Sequence, residues 1–90
     1  MFELGRTLMT DGVSFTVEEN VGFGEEIAKC LLRHSKCDWG DLCEEDSLLN
    51  NEALTSGDRL FSAYETSEGR IWIITEGDRS ATTILFPSEY

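Results

Sequence analysis

Between residues 58 and 90, apolar and polar positions alternate with a period of two in three runs, RLFSAYET, RIWIIT and ATTILF. Short polar breaks part them, first Ser67-Glu68-Gly69 and then residues 76–80 around Gly77. A period of two puts successive side chains on opposite faces of a strand, so the segment predicts an antiparallel meander. In the first run Leu60, Ser62 and Tyr64 share one face, and Phe61 and Ala63 the other. In the second, Ile71, Ile73 and Thr75 oppose Arg70, Trp72 and Ile74. This middle run is apolar on both faces, as a central strand between two neighbours should be. Trp72 is accordingly expected in the core. Pro87, with no amide hydrogen to donate, ends the third strand.

Upstream the pattern is mixed. Residues 2–9 set Phe2, Leu4 and Leu8 against Glu3 and Thr7, which reads as a fourth, half-buried strand closed by the turn pair Asp11-Gly12. Thr16 and Glu19 have capping-box spacing for one helical turn, and Gly22 and Gly24 are expected to keep that helix short. Over residues 25–34, Ile27, Leu31 and His34 follow helical spacing, with Glu25 and Glu26 in the first turn and Arg33 near the last. Those charges complement the helix dipole. Residues 35–43 interrupt the helix with Gly40 and a tryptophan, Trp39, that looks exposed. Asp41 and Glu44 then form a second capping-box pair. It opens a helix over residues 42–54 with Leu42, Leu48, Leu49 and Ala53 as its apolar positions. Gly57 is placed to end it in the left-handed conformation. The expectation is one α+β domain over residues 1–90. Its three- to four-stranded antiparallel sheet combines the C-terminal meander with the N-terminal strand, and two main helices pack on one face.

Composition narrows the class. Ninety residues suit a single domain, which at this size buries only about 60–65% of its unfolded surface. Five of the nine aromatic residues lie in residues 58–90, so most of the core should form there. Hydrophobic residues make up 40% and the mean hydropathy is -0.25, both ordinary for a soluble globular chain. No apolar run approaches the roughly 20 residues that span a bilayer, and the N-terminus lacks the apolar core of a signal peptide. A cytoplasmic protein is expected, without membrane contact. Three cysteines are an odd number for a disulfide framework, so reduced thiols are expected.

Charge changes the picture most. The net charge is -11, from 7 basic and 18 acidic residues. Residues 11–58 hold 12 acids and 3 bases, a net of -9, and the flanks hold the remaining -2. Such a field repels phosphates, which disfavours direct nucleic-acid binding and favours a partner with a basic surface or a nucleic-acid groove.

From Leu31 to Tyr90 a set of short motifs recurs together. They are LLRH (31–34), DWGDL (38–42), Asp46, Asn50, Ala53-Leu54, RLFSAY (59–64), WIITE (72–76), DRS (78–80) and TTILFPSEY (82–90). In these the chain resembles a family of short uncharacterised proteins carried on bacterial plasmids, phages and integrated elements. The resemblance covers about two-thirds of the chain, and its closing segment is the most specific part. It implies a cytoplasmic α+β protein of mobile-element origin and brings no activity with it. Cys37 departs from the pattern, which has glycine there.

The candidate chemistry is sparse. Cys30, His34, Cys37 and Cys43 are four potential zinc ligands, but they lack the paired C-x2-C knuckle, and no metal or other cofactor is expected. His34 is the only histidine. Ser35 and Asp38 lie beside it in sequence, yet a histidine at a helix C-terminus ordinarily serves the last carbonyls and the dipole. Asp78-Arg79 is expected to pair locally. No calcium loop, P-loop, dinucleotide fingerprint or nucleophile elbow occurs. What stands out is five carboxylates in nine residues, Asp38, Asp41, Glu44, Glu45 and Asp46, around Trp39. These six residues are the expected partner-binding set, with Trp39 either an anchor or a lid over the core, and the carboxylates otherwise the N-terminal charge and cap of the second helix. The expected function is a non-enzymatic acidic interaction protein, in its sharper form a DNA mimic that inhibits a host defence protein, as anti-restriction or anti-CRISPR proteins do. The alternative is a small enzyme or metal-dependent accessory protein using His34 and residues 38–46.

Overall fold

The structure, a computed structural model, describes residues 2–90. Its elements run β1 (Arg6–Met9), α1 (Asp11–Glu19), α2 (Val21–Ser35), α3 (Glu44–Ser56), β2 (Leu60–Thr66), β3 (Gly69–Thr75) and β4 (Ala81–Leu85), then a 3-10 turn at Pro87–Glu89. The fold is α+β. The meander forms as its alternation dictates, with β2 antiparallel to β3 from Leu60↔Thr75 to Thr66↔Gly69, and β3 antiparallel to β4 from Trp72↔Leu85 to Thr75↔Thr82.

The N-terminal strand corrects the expectation of a wholly antiparallel sheet. β1 lies beside β4 and parallel to it, Arg6↔Ala81 through Met9↔Ile84, so the sheet is mixed, in the order β1-β4-β3-β2. Three helices and two strands separate β1 from β4 in sequence, so no tight hairpin imposes an antiparallel pairing. All four residues of β1 are exposed, although half-burial was expected. Phe2 and Leu4, which were to supply the apolar face, precede the strand, and Phe2 packs on Trp39 instead.

The helices differ from expectation at their starts. Asp11-Gly12 opens α1 instead of making a turn, because the Glu89 carboxylate, arriving from the far end of the chain, accepts from the Gly12 N–H (3.0 Å) and from Thr10 Oγ1 (2.6 Å). Thr16, expected as a cap, lies inside α1, and its hydroxyl donates to Gly12 O at 2.8 Å. Gly22 and Gly24 lie within α2, which Asn20 caps through the Phe23 N–H. Each glycine costs roughly 1 kcal/mol against alanine in a helix. Burial of Phe23 between them and of Ile27, Cys30 and His34 further on more than offsets that. Phe23, Ile27 and Cys30 meet Tyr64, Ile71, Ile73 and Ile84 of the sheet, with Val13 of α1, in the main core.

α3 keeps two of its four expected apolar positions inward, Ala53 in the second core and Leu42, just before the helix, packed against it. Leu48 and Leu49 are 56% and 62% exposed, and Asn50 and Ala53 are the buried positions. Cys43, not Asp41, is the N-cap, and no side chain completes a capping box. The C-terminal end conforms, with Gly57 at φ 83 and its N–H on Ala53 O.

Candidate functional site

The residues expected to bind a partner lie where α2, the loop after it and α3 meet the free side of β2. Backbone pairing fixes the loop. Asp41 N–H donates to Ala63 O (2.8 Å) and Ala63 N–H to Trp39 O (3.2 Å), a parallel bridge along the outer edge of the sheet. Gly40, at φ 73, makes this approach possible, because a Cβ there would stand 2.1 Å from Ala63 O and 2.7 Å from the Tyr64 ring. Nearly two turns into α3, the Asn50 amide donates to Phe61 O and accepts from Phe61 N–H at 3.0 Å. A lone side chain thus takes the place of a neighbouring strand, and the edge is closed against unwanted pairing.

Within this frame Trp39 is 5% exposed, so of its two expected places it takes the one over the core and not that of an exposed anchor. Its ring stacks with Phe2 at 6.0 Å and meets His34 edge-on at 5.6 Å, and its indole N–H donates to Asn51 Oδ1 at 3.2 Å. With Ala53 and Leu60 it forms a second small core that seats α3. Asp38 is exposed but engaged. Arg33 donates to it at 2.7 and 3.3 Å and the Gly40 N–H at 3.2 Å, and the guanidinium bond above all holds the carboxyl below its usual range. Its backbone carbonyl accepts from Tyr64 OH at 2.6 Å, and burial pushes that phenol up to about 12, so it remains a donor. Asp41, Glu44, Glu45 and Asp46 are exposed and, among the described residues, form no ion pair.

His34 corrects its expected place at the helix C-terminal carbonyls. It is 0% exposed, with Nδ1 2.5 Å from Ser62 Oγ and Nε2 2.9 Å from Thr75 Oγ1. Thr75 Oγ1 lies 2.7 Å from Thr82 Oγ1, whose hydroxyl donates to Leu4 O at 2.7 Å. A carbonyl can only accept, so the proton order follows back along the chain. Thr82 spends its proton on Leu4, Thr75 spends its own on Thr82, and His34 must donate from Nε2. Nδ1 is left to accept from Ser62, which assigns the neutral Nε2–H tautomer. Burial lowers the imidazole pKa from 6.5 to about 4. A ring with both nitrogens engaged and no exposure has no route to a substrate, and its partners do not include Asp38. His34 meets residues 38–46 through the Trp39 ring alone and hydrogen-bonds none of the carboxylates there.

The potential zinc ligands are likewise apart. Cys30 is buried in the main core, which pushes its thiol pKa up. Cys37 is half-buried at φ 67, and Cys43 is exposed. Among the described residues no three His, Cys, Asp or Glu side chains gather as a metal site.

Two features were missed from the sequence. Arg79 does not pair with Asp78. It sits at φ 62 and donates to the carbonyls of Asp58, Glu76, Gly77 and Ala53, so it ties the second hairpin to the end of α3. Trp72, expected in the core, is half-exposed and lines a groove with Arg59, Phe61, Ile74 and Tyr90. The alternation of β2 and β3 already put Phe61, Trp72 and Ile74 on one face. What it lacked was any sign that no helix covers them.

Comparison with protein-family models, with curated proteins and with solved structures finds no match to this chain. Among the described residues no helix is long and apolar enough to cross a membrane.

Proposed function

We propose that this chain is a non-enzymatic interaction protein that offers the carboxylates of residues 38–46 and of α3 to a basic protein surface. The observation that carries this reading is uncompensated charge. Of the 12 acids within residues 11–58, Asp38 alone is in an ion pair among the described residues. Glu44, Glu45 and Asp46 also suit the first turn of α3, where the helix dipole favours each by about 0.3–1 kcal/mol. Helix formation does not call for exposed Asp41 before that turn or exposed Glu52 beyond it. Leu48 and Leu49 stand exposed among these acids and would add apolar contact to a charged interface.

In its finer form the proposal is a decoy for duplex DNA, directed at the nucleic-acid groove of a host defence protein of the restriction or CRISPR kind. Support comes from the density of acids, since duplex DNA presents a charge about every 1.7 Å of its axis, and from the resemblance to proteins of mobile elements. The test is capture from a lysate of the native host on the immobilised chain. The retained protein is expected to be basic and to elute as salt rises past roughly 0.3 M, where screening shortens the reach of the field. The quadruple variant Asp41→Asn, Glu44→Gln, Glu45→Gln, Asp46→Asn should lose it. If that variant, shown folded by its thermal transition, retains the same protein equally well, the proposal fails.

A further inference from the structure

The sheet face turned away from the helices carries a groove of about 360 Å³ lined by Arg59, Phe61, Trp72, Ile74 and Tyr90. Register places it there, since Phe61 pairs with Ile74 and Trp72 with Ala63, all between the inward positions of β2 and β3. The aromatic rings are held crosswise. Phe61 and Trp72 are 5.1 Å apart at 87°, and Trp72 and Tyr90 are 5.7 Å apart at 71°. Edge-to-face packing covers part of each ring and leaves the rest open: Phe61 and Trp72 are half-buried, and Tyr90 is 73% exposed. Arg59 is the one charged residue of the lining. It meets Glu76 through Nε at 3.5 Å, and among the described residues its terminal amino groups donate no hydrogen bond.

We infer that this groove is a binding site for a small aromatic carboxylate. The flat body lies against Phe61, Trp72 and Tyr90, and the carboxylate takes the free amino groups of Arg59. A guanidinium fork matches a carboxylate in shape as well as charge, and the volume falls within the roughly 300–1,000 Å³ of ligand pockets. The net charge of -11 opposes any anion at long range. A preference for anions at this one place can therefore arise only from Arg59. The inference stands apart from the acidic-surface proposal, because it uses the opposite charge and a different face.

The test is a titration of the isotope-labelled full chain, followed by NMR at its two indole N–H resonances. Trp72 reports on the groove, and Trp39, buried and bonded to Asn51, serves as the internal reference. The probes are naphthoate, the neutral naphthalenemethanol and the cationic naphthylmethylamine. Naphthoate should move the Trp72 resonance saturably with a Kd below about 1 mM, leave Trp39 still, and bind at least about tenfold tighter than the other two. Arg59→Gln should bring naphthoate down to the affinity of the alcohol and leave the alcohol unchanged. Overturning results are no saturable shift up to about 10 mM, amine binding as tight as the carboxylate, or unaltered naphthoate binding in Arg59→Gln. Should that variant unfold, seen as loss of the Trp39 resonance, the comparison of carboxylate with amine on the native chain decides alone.

Discussion

His34 links three segments that are far apart in sequence. Through Ser62 it holds β2, through Thr75 it holds β3, and through Thr75 and Thr82 it reaches the carbonyl of Leu4. Protonation would turn Nδ1 from acceptor to donor, leaving the Ser62 hydroxyl proton in conflict and a charge in the core. The imidazole titrates near 6.5 in the unfolded chain and near 4 in the fold. The folded state therefore holds fewer protons across that window, and stability rises with pH. The contribution of His34 is complete above about pH 6.5 and drains away as pH falls toward 4, with about 2 kcal/mol lost between pH 7 and pH 5. Urea unfolding at a series of pH values should show this slope. Because His34 is the only histidine, a His34→Gln variant, less stable at neutral pH, should be nearly flat over the same interval. An equal slope in the variant would place the pH dependence elsewhere.

At the scale of elements, α3 has almost no apolar side to hold it. Its docking rests on Ala53 against Trp39 and Leu60, on Arg79 at its C-terminal carbonyl, and on the two bonds of Asn50 to Phe61. Asn50→Ala should cost about 2 kcal/mol by stranding the Phe61 N–H and C=O. Asn50→Asp should cost more, although it keeps the acceptor for the N–H, because it sets a carboxylate oxygen against Phe61 O. Chemical denaturation of both variants checks the order, and an aspartate variant as stable as the alanine one would show that the edge does not depend on the amide donor. The remaining helices follow the same logic of distant support. α1 starts where Glu89 meets it, and Glu26 of α2 accepts from the N–H and hydroxyl of Ser67 in the first hairpin turn.

For the whole molecule, self-repulsion opposes folding. A net charge of -11 on 90 residues, gathered mostly in residues 11–58, is drawn together when the chain compacts. Raising ionic strength from about 0.01 M to 0.1 M shortens the screening length from about 30 to about 10 Å, so the melting temperature should rise over that range. Circular dichroism melts would show it. A melting temperature that falls instead would mean that the three surface ion pairs among the described residues outweigh the repulsion. The quadruple neutralised variant should respond less to salt than the native chain.

What the sequence determined by itself is whatever depends on neighbours within a few positions. The period of two set β2, β3 and β4 and which residues share each of their faces, the stripe of Ile27 and Leu31 set most of α2, and Gly57 set the end of α3. The density of acids in residues 38–46 and their exposure were also legible there, since a crowd of carboxylates has nowhere to go but water. Tertiary structure alone decided the starts of α1 and α3, the edges and the burial of tryptophan. Both local capping boxes went unused, because Glu89 reaches α1 across 77 residues and the amide of Asp41 is claimed by Ala63. Trp39 went inside and Trp72 stayed half outside because Phe2 and α3 cover one face of the molecule, while no helix covers the other. Which surface is left open depends on where every element finally lies, and local spacing carries no record of that.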